Sequence, residues 1–119
     1  MTRKSGGIIK MNRKDLRDKI ANTPMKSVVV TIEEWDTTVT IKELNGKAFL
    51  DVSEIGMVDG AINRRLFLEL AVVNSAYTED NELLFDKGDL DMVSNLPSSI
   101  YSKLISAVTE VNGITTPKN

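Results

Sequence analysis

Between residues 61 and 74 the sequence reads AINRRLFLELAVVN, and its apolar side chains recur at helical spacing. Ile62, Leu66, Leu70 and Val73 form one face, which Phe67, Ala71 and Val72 widen well beyond the stripe of a surface helix. A belt this broad has to be covered on several sides, so the spacing predicts a central, largely buried helix over 61–74. The remaining segments must supply what covers it. With 119 residues, 41% of them apolar, the chain suffices for one packed domain and is too short for two.

The covering elements are legible in part. Ser27-Val28-Val29-Val30-Thr31-Ile32 is rich in β-branched residues, and Thr37-Thr38-Val39-Thr40-Ile41-Lys42 alternates with Val39 and Ile41 on one face. Glu33-Glu34-Trp35-Asp36 has the length of a hairpin loop, and Asn45-Gly46 closes the second strand with a turn. A hairpin alone is marginal in water, so it packs on helices or pairs with another chain, and its open edge is a candidate contact surface. Asn12 is placed to cap a short helix striped by Leu16 and Ile20, which ends before Thr23-Pro24. Phe49, Val52 and Ile55 predict a further helix over 47–55. Leu90, Met92, Val93 and Leu96 predict a shorter one stopped by Pro97. The last runs from about Ser98 to Asn112, with Ile100, Leu104, Ile105, Val108 and Val111 inward and Gly113 terminating it. The expected fold is mainly α with one N-terminal β-hairpin, a small single-domain α+β fold: a flexible basic arm over 1–11, the domain over 12–114 and a disordered tail over 115–119.

Charge is unevenly placed. Residues 1–20 carry seven Lys and Arg against two Asp, and residues 21–119 carry eight against fifteen carboxylates. A basic arm on an acidic body is a solvated terminus or a contact for nucleic acid or an acidic surface; Arg3, Lys4, Lys10, Arg13, Lys14 and Arg17 would make that contact. The chain has no cysteine, which excludes disulfides, thiolate zinc sites and a cysteine nucleophile and fits a reducing compartment. The start lacks the apolar run of a signal peptide, and the most apolar stretch, Leu66 to Val73, is broken by Glu69 and falls far short of the roughly 20 residues of a spanning helix.

The densest chemistry lies in TEDNELLFDKGDLD, residues 78–91, with six carboxylates around Leu83-Leu84-Phe85. As a calcium loop it fails, because a frame starting at Asp80 puts Leu84 at a ligand position and Phe85 where glycine is needed. A frame starting at Asp86 is worse, with Gly88 and Leu90 at ligand positions. Without histidine, carboxylates alone make a poor transition-metal site. Glu79 and Glu82 are neighbours in one loop, whereas paired catalytic acids face each other across a cleft. The structural reading uses more of the residues: Asp86 caps a helix begun by Lys87 or Gly88, Asp89 and Asp91 fall in its first turns, and Leu83-Leu84-Phe85 tuck beneath as an anchor. Histidine-dependent triads are excluded, and GxSxG, SxxK and the two glycine-rich phosphate motifs do not occur. No catalytic residue, cofactor or metal is expected. Arg64-Arg65 reads as a pair of surface ion-pair partners, and Trp35 as an anchor folded onto the helices or an exposed contact.

The ordered run VVVTIEEWDTTVTIKELNG, then RRLFLELAVVNSAYTEDNELLFDKGDLDMVSNLPSSIYSKLISAVTEVNG, resembles the siphovirus-type tail assembly chaperones of long-tailed bacteriophages and prophages. Trp35, Leu44-Asn45-Gly46, Arg64-Arg65, Leu84-Phe85, Asp89 and Asn112-Gly113 carry the likeness, over roughly residues 12–114. The family often has a glycine shortly before the Leu-Phe pair; here Asn81 is placed to supply the left-handed conformation instead. The resemblance implies a non-enzymatic protein that binds the tape measure protein, keeps its apolar helical segments soluble and helps tail-tube subunits gather around it. It also implies self-association, action in the host bacterial cytoplasm, absence from the mature virion, and a longer form made by programmed frameshifting. Pro117-Lys118-Asn119 is compatible with the codons CCA AAA AAC, which contain a slippery string, and Thr116-Pro117-Lys118 with another. Trp35, Leu83, Leu84 and Phe85 are the expected partner or self-contact residues. The rival expectations are a small phage nucleic-acid-binding regulator using the basic arm, and a structural protein of the head-tail junction.

Overall fold

The structure is a computed structural model and describes residues 10–114. Arg3 and Lys4 of the basic arm and the tail from residue 115 therefore lie outside the described residues.

The chain begins with a helix, α1 (Arg13–Ala21), which Asn12 caps by accepting the Asp15 N–H at 2.8 Å. Two antiparallel strands follow, β1 (Ser27–Ile32) and β2 (Thr37–Lys42), in a register that sets Val30 opposite Val39. A short 3-10 turn, Glu33–Trp35, joins them, with Asp36 in the left-handed region at φ 53°. Asn45 closes the strand and also caps α2 (Gly46–Ile55), accepting the Ala48 N–H. A miniature hairpin comes next, β3 (Met57–Val58) and β4 (Ala61–Ile62), followed by α3 (Arg64–Ser75) with Asn63 as its cap. The chain leaves α3 directly into β5 (Ala76–Tyr77), then passes through the acidic loop to α4 (Leu90–Ser94) and α5 (Ser98–Val111).

The small single-domain α+β fold read from the sequence is present, with a richer sheet than one hairpin. β5 pairs antiparallel with β2, so the sheet has the order β1-β2-β5 and its open edge among the described residues is β1. α5 packs across β1 and β2, and α3 lies between α5, α2 and α4. The core runs from Val39 and Ile41 on the sheet through Phe67, Leu68, Ala71 and Val72 of α3 to Ile100, Leu104 and Val108 of α5.

Two expectations are corrected. The central helix starts at Arg64 rather than residue 61, because Asp59-Gly60 adopts positive φ, 53° and 82°, and folds Met57–Ile62 into a tight hairpin. Ile62 thus stands exposed on β4 instead of facing the core. The stripe of Leu16 and Ile20 stands open: every residue from 10 to 27 is exposed, and α1 buries no side chain.

Candidate binding surfaces

The acidic loop is built as a turn. Thr78 and Glu82 face each other through the Thr78 N–H donated to the Glu82 carbonyl at 2.8 Å, and Asn81 takes the left-handed conformation at φ 64° that the sequence assigns to it. The chain then doubles back, with Leu83 bridged to Tyr77 and the Leu84 N–H donated to the Ala76 carbonyl at 2.9 Å. This return extends the sheet beyond β5. Phe85 is buried in the core, while Leu83 is 55% and Leu84 36% exposed.

The carboxylates of the loop do separate work. Glu79 Oε1 accepts from the Thr37 hydroxyl at 3.0 Å and from the Thr38 hydroxyl and backbone N–H, which ties the turn to the start of β2. These hydrogen bonds, that of Thr37 foremost and then those of Thr38, hold the Glu79 carboxyl below its ordinary value. Lys42 lies 4.1 Å over the Tyr77 ring and donates to the Asn81 side chain. Asp86 does not cap a helix at residue 87 or 88. It is Asp89 that stands at the N-cap position of α4, and its carboxylate accepts the Asp86 N–H at 2.7 Å, closing a turn before the helix begins. Among the described residues no group of three or more carboxylates comes together to hold a metal ion, and no helix is long and apolar enough to cross a membrane.

Trp35 is 39% exposed on the turn between β1 and β2. Glu79 holds the tip of the acidic turn at the start of β2, the end that carries Trp35, whereas Leu83 and Leu84 stand further along the sheet, level with Thr40 and Ile41. Of the basic arm, Lys10, Arg13, Lys14 and Arg17 are exposed, Lys14 in an ion pair with Asp18 at 3.3 Å.

One group escaped the sequence reading. Glu69, in the middle of the apolar belt, is 2% exposed. Its two oxygens accept from the Ser94 and Tyr101 hydroxyls, each at 2.6 Å, and Arg65 stands 3.8 Å away. The carboxylate therefore joins α3, α4 and α5 at one buried point. Burial of the phenol, reinforced by the hydrogen bond to Glu69 and its charge, pushes Tyr101 up to about 12. The only trace of this in the sequence was a carboxylate interrupting an otherwise apolar face.

A three-stranded antiparallel sheet backed by helices makes this a small single-domain α+β fold. No family model matches the sequence, and no curated protein matches it. Among solved structures the chain is similar to the tail assembly chaperone of bacteriophage HK97, with a TM-score of 0.54 and 16% sequence identity, over 82% of this chain and 97% of that one. At that identity the likeness is one of fold.

Proposed function

We propose that this chain is a non-enzymatic tail assembly chaperone of a long-tailed bacteriophage. In this reading it binds the tape measure protein, keeps its apolar helical segments soluble and, through a longer frameshifted form, helps recruit tail-tube subunits. The observation that carries the reading is the likeness of fold to the HK97 protein across 97% of that chain. The ordered run of residues that resembles the family points the same way.

The surface chemistry suits the role. Trp35 on the β1–β2 turn and Leu83 and Leu84 beyond β5 offer exposed apolar contact, and Phe85 anchors the loop that presents the two leucines. A helical partner with an apolar stripe would bury these side chains while the surrounding carboxylates keep the complex in solution. Action in the host cytoplasm and absence from the finished particle belong to the same reading.

The test is co-expression with the cognate tape measure protein. The tape measure protein is expected in the soluble fraction and co-purifying with the chain, and Leu83→Asp with Leu84→Asp should return it to the pellet. A tape measure protein equally insoluble with and without the chain would overturn the reading, as would the chain's recovery in stoichiometric amount from purified virions.

A further inference from the structure

Among the described residues β1 forms the open edge of the sheet, with β2 on one side and no strand on the other. The register shows which backbone groups face out. Ser27 lies opposite Lys42 and Ile32 opposite Thr37, and the next pair in step, Lys26 and Glu43, is joined by the Glu43 N–H donated to the Lys26 carbonyl at 2.8 Å. Hydrogen-bonded pairs alternate along an antiparallel ladder, so Val28, Val30 and Ile32 also turn their backbone groups toward β2. Ser27, Val29 and Thr31 therefore direct theirs away from the sheet. The Lys103 ammonium fits this phase, because it donates to the Thr31 carbonyl at 3.4 Å.

This edge lacks the devices that usually keep a further strand from adding. Ser27–Ile32 holds no proline and no charged residue, every position after Ser27 is β-branched, and Val29 is 63% exposed. Beside it α5 leaves room. A groove of about 510 Å³ runs between strand and helix, with Val28 and Val30 on one side and Ser102, Ser106 and Ala107 on the other. Those three α5 side chains are small, so the side chains of an added strand have space against the helix.

The groove also has a charge order. Ser99, at the start of α5, donates to Glu34 beyond the end of β1 at 3.4 Å, and Asn112, just past the end of α5, accepts the Leu44 N–H at 2.9 Å. Leu44 follows Lys42, the partner of Ser27, so α5 runs antiparallel to β1. Lys103 thus stands beside Thr31, and Glu110 stands toward the start of β1, about 10 Å further along the helix. Both are exposed. At about 3.3 Å per strand residue, the nearest even spacing, which keeps two side chains on one face, is about four positions.

We propose that the outer edge of β1 takes up an extended segment of another protein as an added antiparallel strand. The segment is apolar and β-branched at its centre, with a carboxylate on its N-terminal side meeting Lys103 and a Lys or Arg about four positions later meeting Glu110. Its N–H replaces the ammonium at the Thr31 carbonyl, which releases Lys103 to the carboxylate. A helical segment of a tape measure protein would be held through apolar side chains, whereas this edge reads backbone. Either contact can therefore fail while the other stands.

The experiment is NMR titration of the isotope-labelled full chain with the peptide acetyl-TEVVVKT-amide and, separately, with acetyl-TKVVVET-amide, identical in composition and opposite in charge order. The first is expected to bind with a Kd below about 1 mM, and the second at least about tenfold more weakly. Binding should slow exchange of the Ser27, Val29 and Thr31 amides and leave those of Val28 and Val30 unchanged. Val29→Pro removes an outward N–H that the β1–β2 ladder does not use, so it should abolish binding with an unchanged circular dichroism spectrum. K103E/E110K, at two exposed positions, should exchange the preference between the peptides and serves as the test if the proline disturbs the strand. No binding of either peptide at about 1 mM would overturn the inference. So would equal affinity for the two, a preference unmoved by K103E/E110K, or changes confined to Leu83 and Leu84. Edge amides already protected in the chain alone would overturn it too, if that protection is lost on dilution or on deleting residues 1–9, since a second copy or the chain's own start would then fill the edge.

Discussion

Glu69 sits where the apolar belt of the central helix should be driest, and a carboxylate there survives only because every strong demand on it is met. Removing the phenol with Tyr101→Phe leaves one buried oxygen without its donor and should cost about 1–3 kcal/mol of unfolding free energy, read by urea denaturation. The same pair predicts an alkaline limb. The Tyr101 phenol ionises near 12 in the folded protein, above the value of about 10 expected in the unfolded chain. Its contribution is therefore complete below pH ~10 and lost as pH rises toward 12. Y101F should flatten that limb in melting profiles, with the tyrosinate absorbance as a second readout. Glu79 works in the opposite sense. Its lowered value makes the grip on Thr37 and Thr38 present above the ordinary carboxylate range and lost as pH falls through the folded value. Carboxyl resonances followed by NMR should place Glu79 below the ordinary value of a glutamate, and Thr37→Val should move it back up.

Among the elements, α2 meets α3 closely at Gly56. Gly56 is buried at the end of α2, and a methyl group there would lie 3.1 Å from the Val52 carbonyl and 3.3 Å from Cα and Cβ of Phe67. Gly56→Ala should therefore destabilise by about 1–3 kcal/mol through overpacking, measured as a lower denaturant midpoint with unchanged slope. The helices α2 and α5 were legible from apolar spacing, and α5 also from Gly113 after it, whereas Asn45, read as part of the turn closing β2, also caps α2. The β3–β4 hairpin was not read, although Asp59-Gly60 is a strong turn signal. Ile62 fell in phase with the helical belt behind it, and periodicity cannot tell where a helix yields to a turn. α4 was placed correctly by Leu90 and Val93, but its cap was assigned to the wrong aspartate. Either Asp86 or Asp89 could begin a helix, and only the backbone turn between them selects Asp89.

For the whole molecule, α1 and the body are energetically separate. L16D/I20D should leave the unfolding free energy of the monomer within about 0.5 kcal/mol of wild type, measured by denaturation at high dilution, because neither side chain is covered in its own chain. Of the contact residues named from the sequence, Trp35, Leu83 and Leu84 stand exposed while Phe85 is buried in the core, and Asn81 takes the left-handed conformation in place of a glycine. The tie that fixes the acidic turn to the start of β2 was not legible, since the hydrogen bonds from Thr37 and Thr38 to Glu79 span about forty residues of chain. The sequence by itself determined the local alphabet: β-branched strands, capped helices, a broad apolar belt and an acidic turn are consequences of side-chain shape and spacing. Tertiary structure alone decided which edge of the hairpin stays open, which leucines face outward and which carboxylate is buried. Those outcomes depend on partners distant in sequence, and no local periodicity encodes a contact between residues such as Glu69 and Tyr101 that meet only when α3 and α5 pack.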